Sequence, residues 1–102
     1  IQRSNDFLVA NNWNLIGYSV LMHLIARHCG LDVGILTHFI QDCHIYNKHQ
    51  KQAYELLSRE GYEPPKLVIN PNKKNFFDFT VDDFELINYK HHPQVERFEV
   101  AV

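Results

Sequence analysis

Between residues 15 and 29 the chain is apolar at Leu15, Ile16, Tyr18, Val20, Leu21, Met22, Leu24, Ile25, Ala26 and Cys29, leaving a narrow polar stripe of Ser19, His23 and Arg27 at i, i+4 spacing. That pattern predicts a helix buried nearly all round. Asn12 or Asn14 can cap its start, and Gly30 stands where a left-handed residue would close it. Residues 33–46 alternate around β-branched and aromatic side chains, predicting a strand with His38, Ile40, Asp42, His44 and Tyr46 on one face and Thr37, Phe39, Gln41, Cys43 and Ile45 on the other. Asn47 is placed to cap a second helix over 48–60, whose thin apolar side is Ala53, Tyr54, Leu56 and Leu57, before Gly61 and Pro64-Pro65 stop it. Segments 66–69, 76–80 and 84–89 read as short strands set apart by Asn70-Pro71-Asn72 and Asp82-Asp83. The expected class is α+β, a mixed sheet packed against a long buried helix, with residues 1–102 forming one domain or part of one.

A chain of 102 residues can bury a core, and 45% hydrophobic with 22% charged residues is a globular composition. The net charge of -2 argues against a general binder of nucleic-acid backbone and restricts any anion site to a local one. Cys29 and Cys43 lack the density and spacing of a disulfide framework, which points to a reduced, cytoplasmic setting. No apolar run reaches the ~18 residues of a membrane span, so no membrane partner is expected.

Candidate chemistry clusters in two places. Asp42, His44 and Tyr46 put an acid, an imidazole and a phenol at alternate positions, which is either a solvated strand face or a hydrogen-bonding wall for a hydroxylated ligand. Arg3-Ser4-Asn5-Asp6 offers a guanidinium and a hydroxyl for an anion with a carboxylate two residues on, or else an exposed turn. Cys43 and His44 are strand neighbours and point to opposite faces, so they do not form a nucleophile and base pair. His23 and His28, or His91-His92, lack a ligand set for zinc, and no metal is expected.

Taken in order, Gln2-Arg3-Ser4-x-Asp6, Asn14 ahead of a long apolar helix, Asp42-x-His44-x-Tyr46, Phe76-Phe77-Asp78-Phe79 with Asp83-Phe84-Glu85-Leu86, His92-Pro93 and a final Val100-Ala101-Val102 resemble the C-terminal part of the thymidylate synthase family along the whole chain. The resemblance implies reductive methylation of dUMP to dTMP with 5,10-methylenetetrahydrofolate as co-substrate, yielding dihydrofolate, in a cytoplasmic homodimer. Position by position, it implies that Arg3 and Ser4, with Gln2 beside them, hold the nucleotide phosphate, a fork of donors plus a hydroxyl suiting a dianion. Asn5 belongs to the same dUMP-contacting stretch. Asp6 matches a carboxylate that orders the pterin ring, counted as catalytic and as contacting both substrates. Asn14 matches the residue that pairs with the uracil edge and steadies charge developing there, counted as catalytic. His44 and Tyr46, with Ile45 between them, match the contact to the deoxyribose 3′-hydroxyl, and Ala101 and Val102 match a tail that folds over the folate.

The chain departs from the family pattern at Ala10, Asn12 and Trp13, where the family usually has Gly, Pro and Phe, and at Ile40-Gln41, where Gly-Gly often stands. The resemblance places the nucleophilic cysteine in a Pro-Cys-His motif upstream of Arg3, absent from these 102 residues, so the isolated chain is expected to be inactive. Two alternatives stand beside the synthase: a pyrimidine deoxynucleotide hydroxymethylase of the same fold, and a non-catalytic nucleotide-binding or dimerisation fragment.

Overall fold

The computed structural model describes residues 1–100, and the expectations for Ala101 and Val102 lie outside the described residues. Among the described residues, four strands and two α-helices follow in the order β1 (Gln2–Asp6), α1 (Asn11–Cys29), β2 (Ile40–His44), α2 (Gln50–Leu57), β3 (Lys66–Ile69) and β4 (Phe84–Ile87), with 3-10 turns at Asn47–His49, Phe76–Asp78 and Val81–Asp83. The class is α+β. The strands pair as two separate ladders, β1 with β2 in parallel and β3 with β4 antiparallel. The chain divides into two compact units, one of Ile1–Ser19, Ile35–Glu60 and Pro93–Val102, the other of Val20–Gly34 and Gly61–His92.

In the first unit a parallel pair needs a crossover, and α1 begins it. The helix starts at Asn11, earlier than the apolar block suggests, because the turn after β1 already leads into it: the Ala10 amide donates to the Asp6 carbonyl at 2.9 Å and the Asn14 amide to the Ala10 carbonyl at 3.0 Å. Asn12 and Asn14 therefore lie inside the helix and cap nothing. The β2 strand is five residues long, matching β1, and the expected strand over 33–39 is not a ladder strand: it meets β1 only at its end, where the Phe39 carbonyl accepts the Gln2 amide at 2.8 Å. Asn47 opens a 3-10 turn without a side-chain cap, so α2 proper runs only over Gln50–Leu57 and ends where the Ser58 hydroxyl donates back to the Glu55 carbonyl at 2.7 Å. Its inner side is Gln52, whereas the predicted apolar residues Tyr54 and Leu57 face outward.

In the second unit, Gly30 closes α1 at φ +70°, as its position predicts. Arg27 donates to the Asn70 carbonyl at 2.5 Å and to the Ile69 carbonyl at 3.4 Å, fastening the helix end to the turn after β3. The predicted strand 76–80 is a 3-10 turn, because the Asn75 side chain accepts the Phe77 amide at 3.1 Å and outcompetes the extended form that aromatic residues favour. Asp83, 8% exposed, accepts from Lys73 at 2.7 Å, from the Thr80 amide at 2.7 Å and from Asn70 at 2.8 Å. The Lys73 hydrogen bond first, then those from Thr80 and Asn70, hold its carboxyl far below the usual carboxylate range.

The burial of α1 reverses the expectation. Ala26 is its one buried residue among those described, the polar stripe of Ser19, His23 and Arg27 is half-buried, and Ile16, Tyr18 and Ile25 are exposed. Trp13 is 82% exposed. Apolar side chains on this helix are open in the chain as it stands, and the apolar period that predicts burial here marks a surface with no cover among the described residues. No helix among the described residues is long and apolar enough to cross a membrane.

Candidate functional site

The first unit buries polar groups where a core would bury apolar ones: Asn5 and His49 are each 2% exposed and Gln52 is 6% exposed. Buried amides and imidazoles are costly unless hydrogen-bonded, so their partners define what this part of the molecule is built to hold.

Gln2 is the centre of the first group. Its Nε2 donates to the Ser4 carbonyl at 3.0 Å and to Asn14 Oδ1 at 3.1 Å, and its Oε1 accepts from Asn5 Nδ2 at 3.0 Å and from His38 Nε2 at 2.9 Å. A carbonyl oxygen only accepts, so His38 carries its proton on Nε2 in this contact. Asn5 Nδ2 also donates to Asn14 Oδ1 at 3.2 Å. The acceptor end of the Asn14 amide is thus taken by two donors, which fixes the amide orientation and leaves Nδ2 as the end that makes no hydrogen bond among the described residues.

Strand register assembles the second group. Ser4 lies opposite Asp42 and Asp6 opposite His44 in the parallel ladder. Ser4 Oγ donates to Asp42 Oδ2 at 3.2 Å, and His44 Nδ1 lies 3.4 Å from Asp42 Oδ1. The His44 and Tyr46 rings meet edge to face with centroids 5.4 Å apart. The alternation read from 42, 44 and 46 therefore holds in space, and it joins the Arg3-Ser4 stretch, which is strand rather than turn. Arg3 is exposed and its guanidinium makes no hydrogen bond among the described residues, leaving its five donors open to an anion. Ile45 is half-exposed and apolar and joins no hydrogen-bonded group here.

Asp6 serves two purposes. One carboxylate oxygen accepts the Val9 amide at 3.3 Å, shaping the turn into α1, and the residue borders a cavity of about 240 Å³ together with Val9, Tyr46, His49, Phe98, Glu99 and Val100. A mostly apolar cavity with Asp6 and Glu99 at its border suits a flat ring carrying polar N–H groups. His38 and His49 are the members that sequence reading did not single out as site residues. The signal for His38 was its place in the alternation, but its contact to residue 2 depends on a pairing 36 positions away. Among the described residues no group of His, Cys, Asp and Glu is arranged to hold a metal, and both Cys29 and Cys43 are free thiols.

The arrangement belongs to a class of α+β proteins in which a parallel strand pair presents anion donors, an oriented amide and an imidazole-phenol wall along one site. Comparison with known proteins makes this more specific. The thymidylate synthase family model matches residues 1–102. A thymidylate synthase of Bacillus licheniformis is 49% identical over 100 residues, covering 98% of this chain and 36% of that protein, and thymidylate synthase 1 of Bacillus subtilis strain 168 is 46% identical over the same share. The solved thermostable thymidylate synthase A from Bacillus subtilis superposes with a TM-score of 0.93 at 46% identity, covering 98% of this chain and 36% of that one. The chain belongs to the thymidylate synthase family, and it spans about a third of the length of these relatives.

Proposed function

We propose that residues 1–102 form the C-terminal segment of a single thymidylate synthase domain, supplying the nucleotide-orienting side and part of the folate side of the site for reductive methylation of dUMP to dTMP. The observation that carries this reading is the oriented Asn14 amide. With Oδ1 occupied by Gln2 and Asn5, Asn14 presents a donor, which suits the O4 acceptor of uracil and opposes the 4-amino group of cytosine. Charge that builds on O4 during attack on the ring would then meet a donor already in place, with no reorganisation at the moment of reaction. Arg3 and Ser4 take the phosphate, Ser4 turning its hydroxyl from Asp42 to do so, and His44 and Tyr46 take the sugar hydroxyl. Gln2 and Asn5 act behind these contacts by fixing Asn14.

The reduced folate supplies the one-carbon unit and the hydride. Asp6 and the apolar border of its cavity fit its pterin ring, a carboxylate being the acceptor such a ring needs in an apolar surround. We place Ala101 and Val102 over that ring and the attacking thiolate in polypeptide outside these residues, and we assign the complete enzyme to a cytoplasmic homodimer. Neither nucleic acid nor a metal enters the scheme.

The test is complementation. The 102-residue chain alone should form no dihydrofolate from dUMP and methylenetetrahydrofolate, while the same chain joined to or mixed with the upstream part of a Bacillus relative should form it. The restored enzyme should turn over dUMP and leave dCMP untouched. Turnover by the chain alone, or conversion of dCMP in preference to dUMP, would overturn the assignment.

A further inference from the structure

Four hydrogen bonds tie the segment 93–100 to α2 and the residues flanking it: Arg59 to the Pro93 carbonyl at 2.8 Å, Lys51 to Glu96 at 2.9 Å, His49 Nε2 to the Glu99 carbonyl at 2.9 Å and Lys48 to the Val100 carbonyl at 2.5 Å. Three of the four come from long cationic side chains in exposed contacts, which solvent and salt weaken. The His49 bond differs: its ring is 2% exposed and lies edge-on to Phe98 on one side, at 5.1 Å between centroids, and to Tyr46 on another, at 5.9 Å. With the His44–Tyr46 contact this makes a row of four rings, His44, Tyr46, His49 and Phe98, running from the proposed sugar wall to the 93–100 segment.

As a core filler His49 is a poor choice. Its Nδ1 is buried without a partner among the described residues, as is Oε1 of Gln52, and a burial of this kind costs more than an apolar side chain of similar size would. What the imidazole provides and a leucine does not is the Nε2–H bond to a backbone carbonyl of the segment, made while the ring packs against Tyr46. We infer that His49 is a positioning residue that pins the 93–100 segment over the cavity shared by Asp6 and Tyr46, so that occupancy of the nucleotide wall and closure of the segment are coupled through its ring. The coupling rests on the synthase reading; the pin itself does not.

Hydrogen–deuterium exchange of residues 96–100, measured in the complete polypeptide that carries this chain, separates the two. Without ligand, His49→Ala should lower protection of 96–100 about tenfold, and His49→Gln, whose amide can donate to the same carbonyl, should retain most of it. Added dUMP should raise protection of 96–100 in the unsubstituted protein and in H49Q but not in H49A, and H49A should lose kcat while dUMP affinity stays within about threefold. Unchanged exchange of 96–100 in H49A overturns the pin. Should H49A lose protection through β2 and α2 as well, His49→Leu decides: it fills the buried space without a donor, and selective loss at 96–100 supports the pin while unchanged exchange there overturns it. If the unsubstituted enzyme forms no dihydrofolate and gains no protection from dUMP, the functional reading and the coupling fall together, and the ligand-free rates still judge the pin.

Discussion

Both ends of the Gln2 amide are occupied within the chain, four hydrogen bonds in all, and that saturation is what gives Asn14 a direction. Gln2→Glu keeps the shape but sets a carboxylate oxygen against Asn14 Oδ1 where a donor stood. We expect dUMP affinity in the complemented enzyme to fall about tenfold or more, the effect of a half-buried acceptor facing an acceptor, as read by a binding isotherm. The same substitution should barely change folate affinity, since Gln2 does not border the Asp6 cavity. At this scale much was legible in the residues themselves. The alternation at Asp42, His44 and Tyr46 is a local property with a period of two, and it survives folding. The role of Gln2 was visible only as a neighbour of Arg3 and Ser4, because its partners His38 and Asn14 reach it through tertiary pairing that no local pattern encodes. His49 left no signal at all: a single histidine beside a helix start is indistinguishable from a surface one until its burial is known.

Elements carry two further predictions. Gly30 holds φ +70° at the end of α1, so Gly30→Ala should cost about 1 kcal/mol, seen as a lowered urea midpoint, because a Cβ in the left-handed region clashes with its own backbone. Asp83 is the acid-sensitive point of the β3–β4 unit. Its folded-state pKa is depressed below that of the unfolded chain, so its contribution is full above the ordinary aspartate pKa of about 4 and is lost as pH falls through the folded value. Exchange of the β3 and β4 amides should accelerate on acidification below about pH 4, and Asp83→Asn should accelerate it at neutral pH with little further change in acid. The strands 66–69 and the start of 84–89 were readable because they are short, β-branched or apolar runs bounded by turn formers. The failures have specific causes: Asn75 turns an aromatic run into a 3-10 turn through one side-chain bond, and the ends of α2 follow bonds from His49 and Ser58 rather than the Asn47 cap. The apolar block of α1 predicts the helix but not its exposure, since periodicity reports which face wants cover and not whether these residues supply it.

At the scale of the whole chain, that uncovered face has a measurable result. Trp13, Ile16, Tyr18 and Ile25 stand open on α1, so the isolated 102-residue chain should self-associate or bind a hydrophobic dye, and addition of the upstream part of a relative should reverse both, as read by sedimentation and dye fluorescence. The parallel pairing of β1 with β2 also has a consequence in time. Every row of that ladder joins residues 38 positions apart, and His49 reaches Glu99 across 50, so the proposed nucleotide wall is not complete until the intervening chain has found its path. Contacts of long sequence separation are the slow ones to form. During refolding, helical content should therefore return well before competence to bind dUMP, and in that interval the molecule carries nearly all of its secondary structure and none of its chemistry.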